Sequence, residues 1–319
     1  MISRRRLLSL PCWALLPAAT SVGLTGCGPK PGRLRIAAGD EGGIYVAFAR
    51  LLAARLEQRM GGLQVEVQIT GGTQDNYRRL ALGEADLGLG LADSVAAATA
   101  AGERDQVLAL ARIYENYLQL IVAADGPARR ITDLAGRTVT LGADRSGAAV
   151  TGAVLLQAAA MTTSGPGGVH VQHAGLAASL DQLERGETDA VLWSGGIPTP
   201  AISELDDRLP LRMLDLGALV PTMTASSGYP YVRRRVPRVG YAPERRPAAT
   251  VGVPNFLLTR AGLAREMAQT VVEVLAEDAA RLMPDFVLGL QYLTPGLMIQ
   301  TSPVPLHEGA VAAYRRLHG

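Results

Sequence analysis

Short apolar segments that run straight into glycine turns, each followed by residues at helical spacing, constrain this chain more than any other feature. Residues 34–38 are apolar and lead into Gly39-Asp40-Glu41-Gly42-Gly43, after which Ile44, Phe48, Leu51, Leu52 and Leu56 fall on one helical face. Gly61-Gly62 stops that helix, since glycine tolerates the left-handed backbone a helix end needs. Leu63, Val65, Val67 and Ile69 then alternate with polar residues, as a half-buried strand does. Thr70-Gly71-Gly72-Thr73 opens the next helix, which runs through Leu82. The rhythm continues to about residue 216 and predicts an α/β fold with largely parallel sheets.

An internal echo divides that rhythm in two. Leu80-Ala81-Leu82-Gly83-Glu84-Ala85-Asp86 matches Leu183-Glu184-Arg185-Gly186-Glu187-Thr188-Asp189, and each copy ends a helix on glycine just before a short strand. The copies lie too far apart for a solenoid repeat and fit two similarly built lobes. Apolar segments at 118–123 and 251–258 can link them, giving lobe one as 33–122 plus 252–319 and lobe two as 123–251. A helix over about 263–283 packs back on lobe one in this reading. Two α/β lobes joined by hinge strands leave a cleft that can close on a small ligand.

The first residues form an address. Arg4, Arg5 and Arg6 precede a short apolar stretch interrupted by Pro11 and Pro17, and Leu24-Thr25-Gly26-Cys27 follows. Positive, apolar, then small residues is the layout of a secretory signal peptide, here over 1–26. The last four residues have the form of a bacterial lipobox, with Cys27 as the lipidated residue and 27–32 as a tether. Ser3-Arg4-Arg5-Arg6-Leu7-Leu8 also has the form of a twin-arginine export signal. Cys12 and Cys27 are the two cysteines of the chain, so the domain beyond the tether has none for a disulfide, a nucleophile or a zinc–sulfur site. Without Arg4–Arg6 the chain has 28 basic and 29 acidic residues, which gives no footprint for nucleic acid.

The glycine turns carry the chemistry. Main-chain N–H groups at a helix start are unpaired and sit at the positive end of the dipole, so they favour a carboxylate or phosphate. Gly42 and Gly43 let backbone approach a ligand closely. Thr73, Asn76, Asp93, Ser94 and Ser146 stand at comparable turns, as ligand contacts or as helix caps. The turns lack the Gly-Lys-Ser/Thr of a P-loop and are not Gly-x-Gly-x-x-Gly.

Gly42-Gly43-Ile44-Tyr45, then Gly72-Thr73-x-x-Asn76-x-x-x-Leu80-x-x-Gly83-Glu84-Ala85-Asp86-Leu87-Gly88, resembles the TAXI family of solute-binding proteins of TRAP transporters. The likeness continues through Asp133-Leu134-x-Gly136-Arg137-x-Val139, Ser146-Gly147, Gly196-Ile197-Pro198-Thr199-Pro200-Ala201-Ile202 and Pro305-Leu306-His307-Glu308-Gly309-Ala310. It implies a two-lobed periplasmic-binding-protein fold of type II, with hinge strands and an interlobe ligand cleft. It implies capture of a small organic anion or amino acid, glutamate-like or a less polar carboxylate, for a TRAP-type permease. Carried over by position, Gly43, Tyr45, Thr73, Asn76, Asp93, Ser146 and Gly147 line the cleft. Main-chain N–H groups near Gly43, Thr73 and Ser146 would hold the carboxylate, and Tyr45 would supply a wall or a hydroxyl. This chain departs from the family pattern at Leu91-Ala92 before Asp93, at Ala148 after Ser146-Gly147, and at Asn116 and Gln119, where the family has Glu and His. The cleft is thereby less polar, which favours a less polar acid.

Trp193, beside Ser194-Gly195-Gly196, faces the cleft or packs behind it. His170 and His173 have no third ligand for a metal, so no metal or cofactor is expected. Arg233-Arg234-Arg235 with Arg238, Arg245 and Arg246 is a basic run among prolines, either a solvated loop or a contact to the permease or anionic headgroups. Asp93 is the one strong acid–base candidate and has no evident partner, so binding rather than catalysis is expected. The expected product is a monomeric, membrane-anchored lipoprotein of the periplasm or cell surface. A ligand-sensing lipoprotein for a membrane histidine kinase would share the fold and is the alternative.

Overall fold

The computed structural model describes residues 32–100, 106–237, 241, 248–285 and 291–318. Residues 1–31, with Cys12 and Cys27, and Arg238, Arg245 and Arg246 lie outside the described residues.

Two βαβαβ units of the same wiring build the molecule. The first comprises β1 (Arg33–Ala37), α1 (Ile44–Arg59), β2 (Gln64–Gln68), α2 (Thr73–Ala81) and β3 (Leu87–Leu91), with parallel strand order β2-β1-β3. After α3 (Ala92–Ala100) and the long β4 (Val107–Ala123), the second comprises β5 (Thr138–Thr140), α4 (Gly147–Ala158), β6 (His170–Gln172), α5 (Leu176–Glu184) and β7 (Ala190–Gly195). Its order, β6-β5-β7, is again parallel. The chain continues through α6 (Pro200–Asp206), β8 (Leu211–Met213), α7 (Val220–Ser227), β9 (Val232–Arg235) and β10 (Ala249–Arg260). It closes with α8 (Arg265–Glu277), α9 (Pro295–Met298) and α10 (Glu308–Leu317). Within the segment expected as one helix over 263–283, α8 ends at Glu277 and a 3-10 turn follows at Ala279–Arg281.

The expectation of largely parallel sheets is corrected by β4 and β10. Both run antiparallel to their neighbours and join the two units into one ten-stranded mixed sheet, β2-β1-β3-β10-β4-β7-β5-β6, with β8 on β4 and β9 on β10. They cover strand edges that each unit would otherwise leave unpaired. They also belong to two hydrophobic cores. Leu110, Ile113, Tyr114 and Leu257 pack with α1, α8 and α10, whereas Leu118, Leu120, Val251 and Val253 pack with α4 and α7. The change of core falls beside a register shift between Pro254 and Phe256, and such irregularities bend a strand.

The repeated heptapeptide has one geometry in both units. Gly83 and Gly186 each have φ of 69°, which only glycine adopts freely. Asp86 donates its N–H to the Arg35 carbonyl and accepts from the Arg35 N–H, while Asp189 does the same with Thr138. Each aspartate thus pins the start of one parallel strand to its neighbour. Asp86 also accepts from the side chains of Arg35 and Arg260 at 3.1 and 2.9 Å. Burial pushes its carboxyl up, but the bonds from Arg35 and Arg260 outweigh burial and hold it below the usual carboxylate range. A depressed folded-state pKa stabilises the fold above the unfolded value, and the gain is lost as pH falls through the folded one. We expect Asp86→Asn to cost about 2 kcal/mol at neutral pH, on the scale of hydrogen bonds to charged groups. Thermal melts should show the gap to the parent narrowing on acidification; a gap that widens in acid would contradict this role.

Candidate functional site

A cavity of about 50 Å³ lies where the two units meet. Gly39, Asp40, Gly43, Ile44 and Tyr45 reach it from the β1–α1 turn, and Gly71, Gly72 and Thr73 from the start of α2. Ser146, Gly147 and Ala148 come from the start of α4, with Leu91, Asn116, Trp193 and Ser194 from β3, β4 and β7. Three helix N-termini therefore converge on one small space. At about 30 Å³ for each water, it has room for about two.

The contacts between units are tight. The Gln74 N–H donates to the Arg145 carbonyl at 3.1 Å, and Arg145 holds a left-handed φ of 75° to present it. Leu176 N–H, at the start of α5, donates to Asp40 Oδ2 at 3.3 Å. A Cβ on Gly147 would stand 2.5 Å from Leu91 Cδ1 and 2.7 Å from Thr73 Oγ1, so only glycine fits there.

Six of the expected site residues are brought together: Gly43, Tyr45, Thr73, Ser146, Gly147 and Trp193 all line the cavity. Their roles differ in part from those expected. The Gly43 N–H is spent on the Asp40 carbonyl at 3.1 Å, and the Ser146 N–H on the Ala143 carbonyl at 3.0 Å. The donors left without an acceptor among the described residues are one and two positions later. They are Ile44 and Tyr45 in α1, Thr73 in α2, and Gly147 and Ala148 in α4. This follows from helix geometry, because the first N–H groups have no carbonyl one turn back. Ser146 Oγ caps α4 by accepting from the Ala149 N–H at 3.1 Å, and Thr73 Oγ1 accepts from the Leu91 N–H at 3.1 Å. Tyr45 supplies a wall, since its hydroxyl donates to buried Asn255 at 2.5 Å. The benzo edge of Trp193 lies against Gly43.

Gly42, Asn76 and Asp93 are not brought to the cavity. Gly42 is exposed and makes the turn, with φ of 78°. Asn76 is fully buried, donating to the carbonyls of Ala38 and Leu89 at 2.5 and 2.7 Å and accepting from Thr70 Oγ1 at 2.6 Å. Its side chain ties the residue after β1 to the middle of β3 and is fully engaged. Asp93 is buried and accepts from Thr151 Oγ1 at 2.6 Å and the Tyr231 hydroxyl at 2.9 Å. Ser94 donates to it as well, through its N–H at 2.7 Å.

Asp40 and Asn116 also line the cavity, outside the set expected to contact the ligand. Asp40 stands in the first glycine turn, a position the pattern of turns could have flagged. Burial pushes its carboxyl up against the opposing bond from Leu176. Asn116 is 1% exposed, donates to Ser194 at 3.1 Å, and has no partner for its Oδ1. Trp193 Nε1 is likewise buried without an acceptor. No cluster of metal-ligating side chains occurs among the described residues, and no described helix is long and apolar enough to cross a membrane.

Arg234, from the basic run, is only partly exposed. It forms an ion pair with Glu115, whose side chain is fully buried and also accepts from the Tyr292 hydroxyl. Arg233 and Arg235 are exposed.

A family model described as the NMT1-like family matches residues 36–316. The chain belongs to the NMT1-like family. Among solved structures, a protein described as a periplasmic transporter superposes with a TM-score of 0.52 at 13% identity, covering 91% of this chain and 94% of that one. Tv2483 bound to L-arginine gives 0.52 at 14% identity over 82% and 94% of the two chains. XAC2383 from Xanthomonas citri bound to ATP gives 0.51 at 13%, over 90% and 95%. These likenesses show for this NMT1-like chain a mixed α/β fold with one central sheet, like that of periplasmic-binding-protein structures.

Proposed function

We propose that this protein is an extracytoplasmic solute-binding protein that captures a small organic anion or amino acid in the cavity between its two units. Binding, not catalysis, is its activity. The observation that carries this reading is the convergence of three helix starts with unpaired N–H groups, at Ile44, Thr73 and Gly147, on a cavity that Asn116 and Trp193 also line. Main-chain N–H groups at helix starts favour a carboxylate or a comparable oxyanion. The walls of Ile44, Leu91, Ala148 and Trp193 suit a ligand less polar than glutamate. The lobes, 33–122 plus 252–319 and 123–251, open and close about β4 and β10 in this reading. The leader and Cys27 fit export and a lipid anchor, and the resemblance to TAXI proteins fits delivery to a TRAP-type permease.

Trp193 provides the test. Trp13 lies in the leader, so the processed protein has Trp193 as its single tryptophan, against the cavity. Small molecules released from natively purified protein, identified by mass spectrometry, should shift its fluorescence saturably when added back. Recovery of a chemically altered compound, or a fluorescence that no released compound changes, would overturn the reading. Cys27→Ser should abolish lipid labelling; labelling that persists in that variant would place the anchor elsewhere.

A further inference from the structure

The two βαβαβ units repeat more than their strand order: they repeat the turn that faces the cavity. In the first, the N–H of Gly43, which caps α1, bonds back to the Asp40 carbonyl; in the second, the N–H of Ser146, which caps α4, bonds back to the Ala143 carbonyl. Asp40 and Ala143 therefore occupy equivalent positions, three residues before the cap. By the same equivalence α2 of the first unit corresponds to α5 of the second. The Asp40 carboxylate crosses to the second unit and accepts the first N–H of α5, from Leu176, at 3.3 Å. The reciprocal contact would run from position 143 to the first N–H of α2, from Thr73. Alanine has no carboxylate to make it, and the Thr73 N–H opens onto the cavity without an acceptor among the described residues.

The cleft thus has two equivalent anion positions, one filled by the protein and one left for the ligand. We propose that Asp40 is a resident carboxylate that occupies the second position and restricts the site to ligands with a single acidic group. The inference rests on the reading of the cavity as an anion-binding site. Asp40 itself lines that cavity, and a Cβ on Gly175 beside it would stand 3.3 Å from its Oδ2, so the carboxylate fits closely against the start of α5. A second ligand carboxylate would meet both a filled helix start and a like charge. Burial that pushes the Asp40 carboxyl up is the cost of that arrangement in the unliganded protein.

Calorimetry with pairs matched in carbon number tests this: pentanoate against glutarate, and L-norvaline against L-glutamate. The parent protein should bind the singly acidic member of at least one pair ten-fold or more tighter. Asp40→Asn, which keeps the shape and removes the charge, should narrow or reverse that preference by at least ten-fold through a gain for the diacid. Ala143→Asp should place a carboxylate at the start of α2 and weaken the singly acidic member at least ten-fold, with an unliganded melting temperature near that of the parent. A parent that binds the diacid equally well, or an Asp40→Asn preference identical to the parent's, would overturn the proposal and leave the anion site standing. So would loss of both members in Asp40→Asn, since Asp40 would then hold ligand rather than exclude one. If Ala143→Asp fails to fold, the Asp40→Asn arm decides alone. A parent that binds no member of either pair would refute the anion-site reading, and this inference with it.

Discussion

We expect Gly147→Ala to melt like the parent when unliganded and to bind its ligand about 30-fold more weakly, a loss of roughly 2 kcal/mol on the scale of an overpacked interior. Gly147 is the first residue of α4 and its φ is not positive, so alanine is compatible with the helix itself. The conflict lies across the cavity. The added Cβ would fall 2.5 Å from Leu91 Cδ1 and 2.7 Å from Thr73 Oγ1, and Thr73 Oγ1 is not free to swing because the Leu91 N–H donates to it. The methyl is therefore accommodated only if the two units part. Parting them also withdraws the Gly147 and Ala148 N–H groups from those of Ile44 and Thr73, so one ligand oxyanion can no longer meet all three helices. Small-angle scattering should show the radius of gyration of the parent shrinking with ligand and that of the variant staying constant. A variant that binds with parental affinity and still contracts would show that Leu91 relaxes enough to admit the methyl, and that closure does not depend on Gly147.

The parts of this architecture set by local patterning were legible in the sequence. The periodic face of α1 appears as Ile44, Phe48, Leu52 and Leu56, all buried. The repeated heptapeptide reads as one structural unit because its glycine and aspartate each do a local task, at the helix end and at the strand start. The long linking strands were legible only in part. Their apolar runs are visible, but Glu115, Asn116 and Gln119 interrupt β4 with polar residues that look exposed on periodicity alone. Each is buried because a distant partner satisfies it: Arg234 and Tyr292 for Glu115, Ser194 for Asn116, and Thr199 with Tyr241 for Gln119. The site shows the same division. Glycine turns located the cavity, whereas the identity of the free donors depended on which N–H groups the turns themselves consume. Asn76 and Asp93 carry polar groups at suitable turns, yet three-dimensional neighbours absorb both.

Asp93 gives the largest effect expected on the fold, because it joins three elements from a buried position without a cationic partner among the described residues. Its Oδ2 accepts from Thr151 on α4 and from Tyr231 just before β9, and its Oδ1 accepts from the Ser94 N–H at the start of α3. Asp93→Ala removes the acceptor from the hydroxyls of Thr151, Tyr231 and Ser94 and from the Ser94 N–H at once. At roughly 1–3 kcal/mol for each buried group left unsatisfied, we expect about 3 kcal/mol of lost stability after relaxation. Asp93→Asn should cost much less. Its carbonyl can still serve Ser94, its amide can donate to the Tyr231 hydroxyl, and Thr151 can keep the Gly147 carbonyl, which it already meets at 3.0 Å. The charge has its own signature. Burial pushes the Asp93 carboxyl up in the folded protein, against the bonds from Thr151, Tyr231 and Ser94. With a raised folded-state pKa, the full contribution is present below the unfolded value near 3.8 and is lost as pH rises through the folded one. Asp93→Asn has no such proton, so its stability relative to the parent should improve from pH 4 to pH 7. Paired denaturant titrations at the two pH values isolate this effect, because Asp40, Asp86 and every other titrating group are common to both proteins. A relative stability that is flat or falls over that interval would mean that the folded protein holds Asp93 ionised as readily as the unfolded chain, and that four donors suffice to offset its burial.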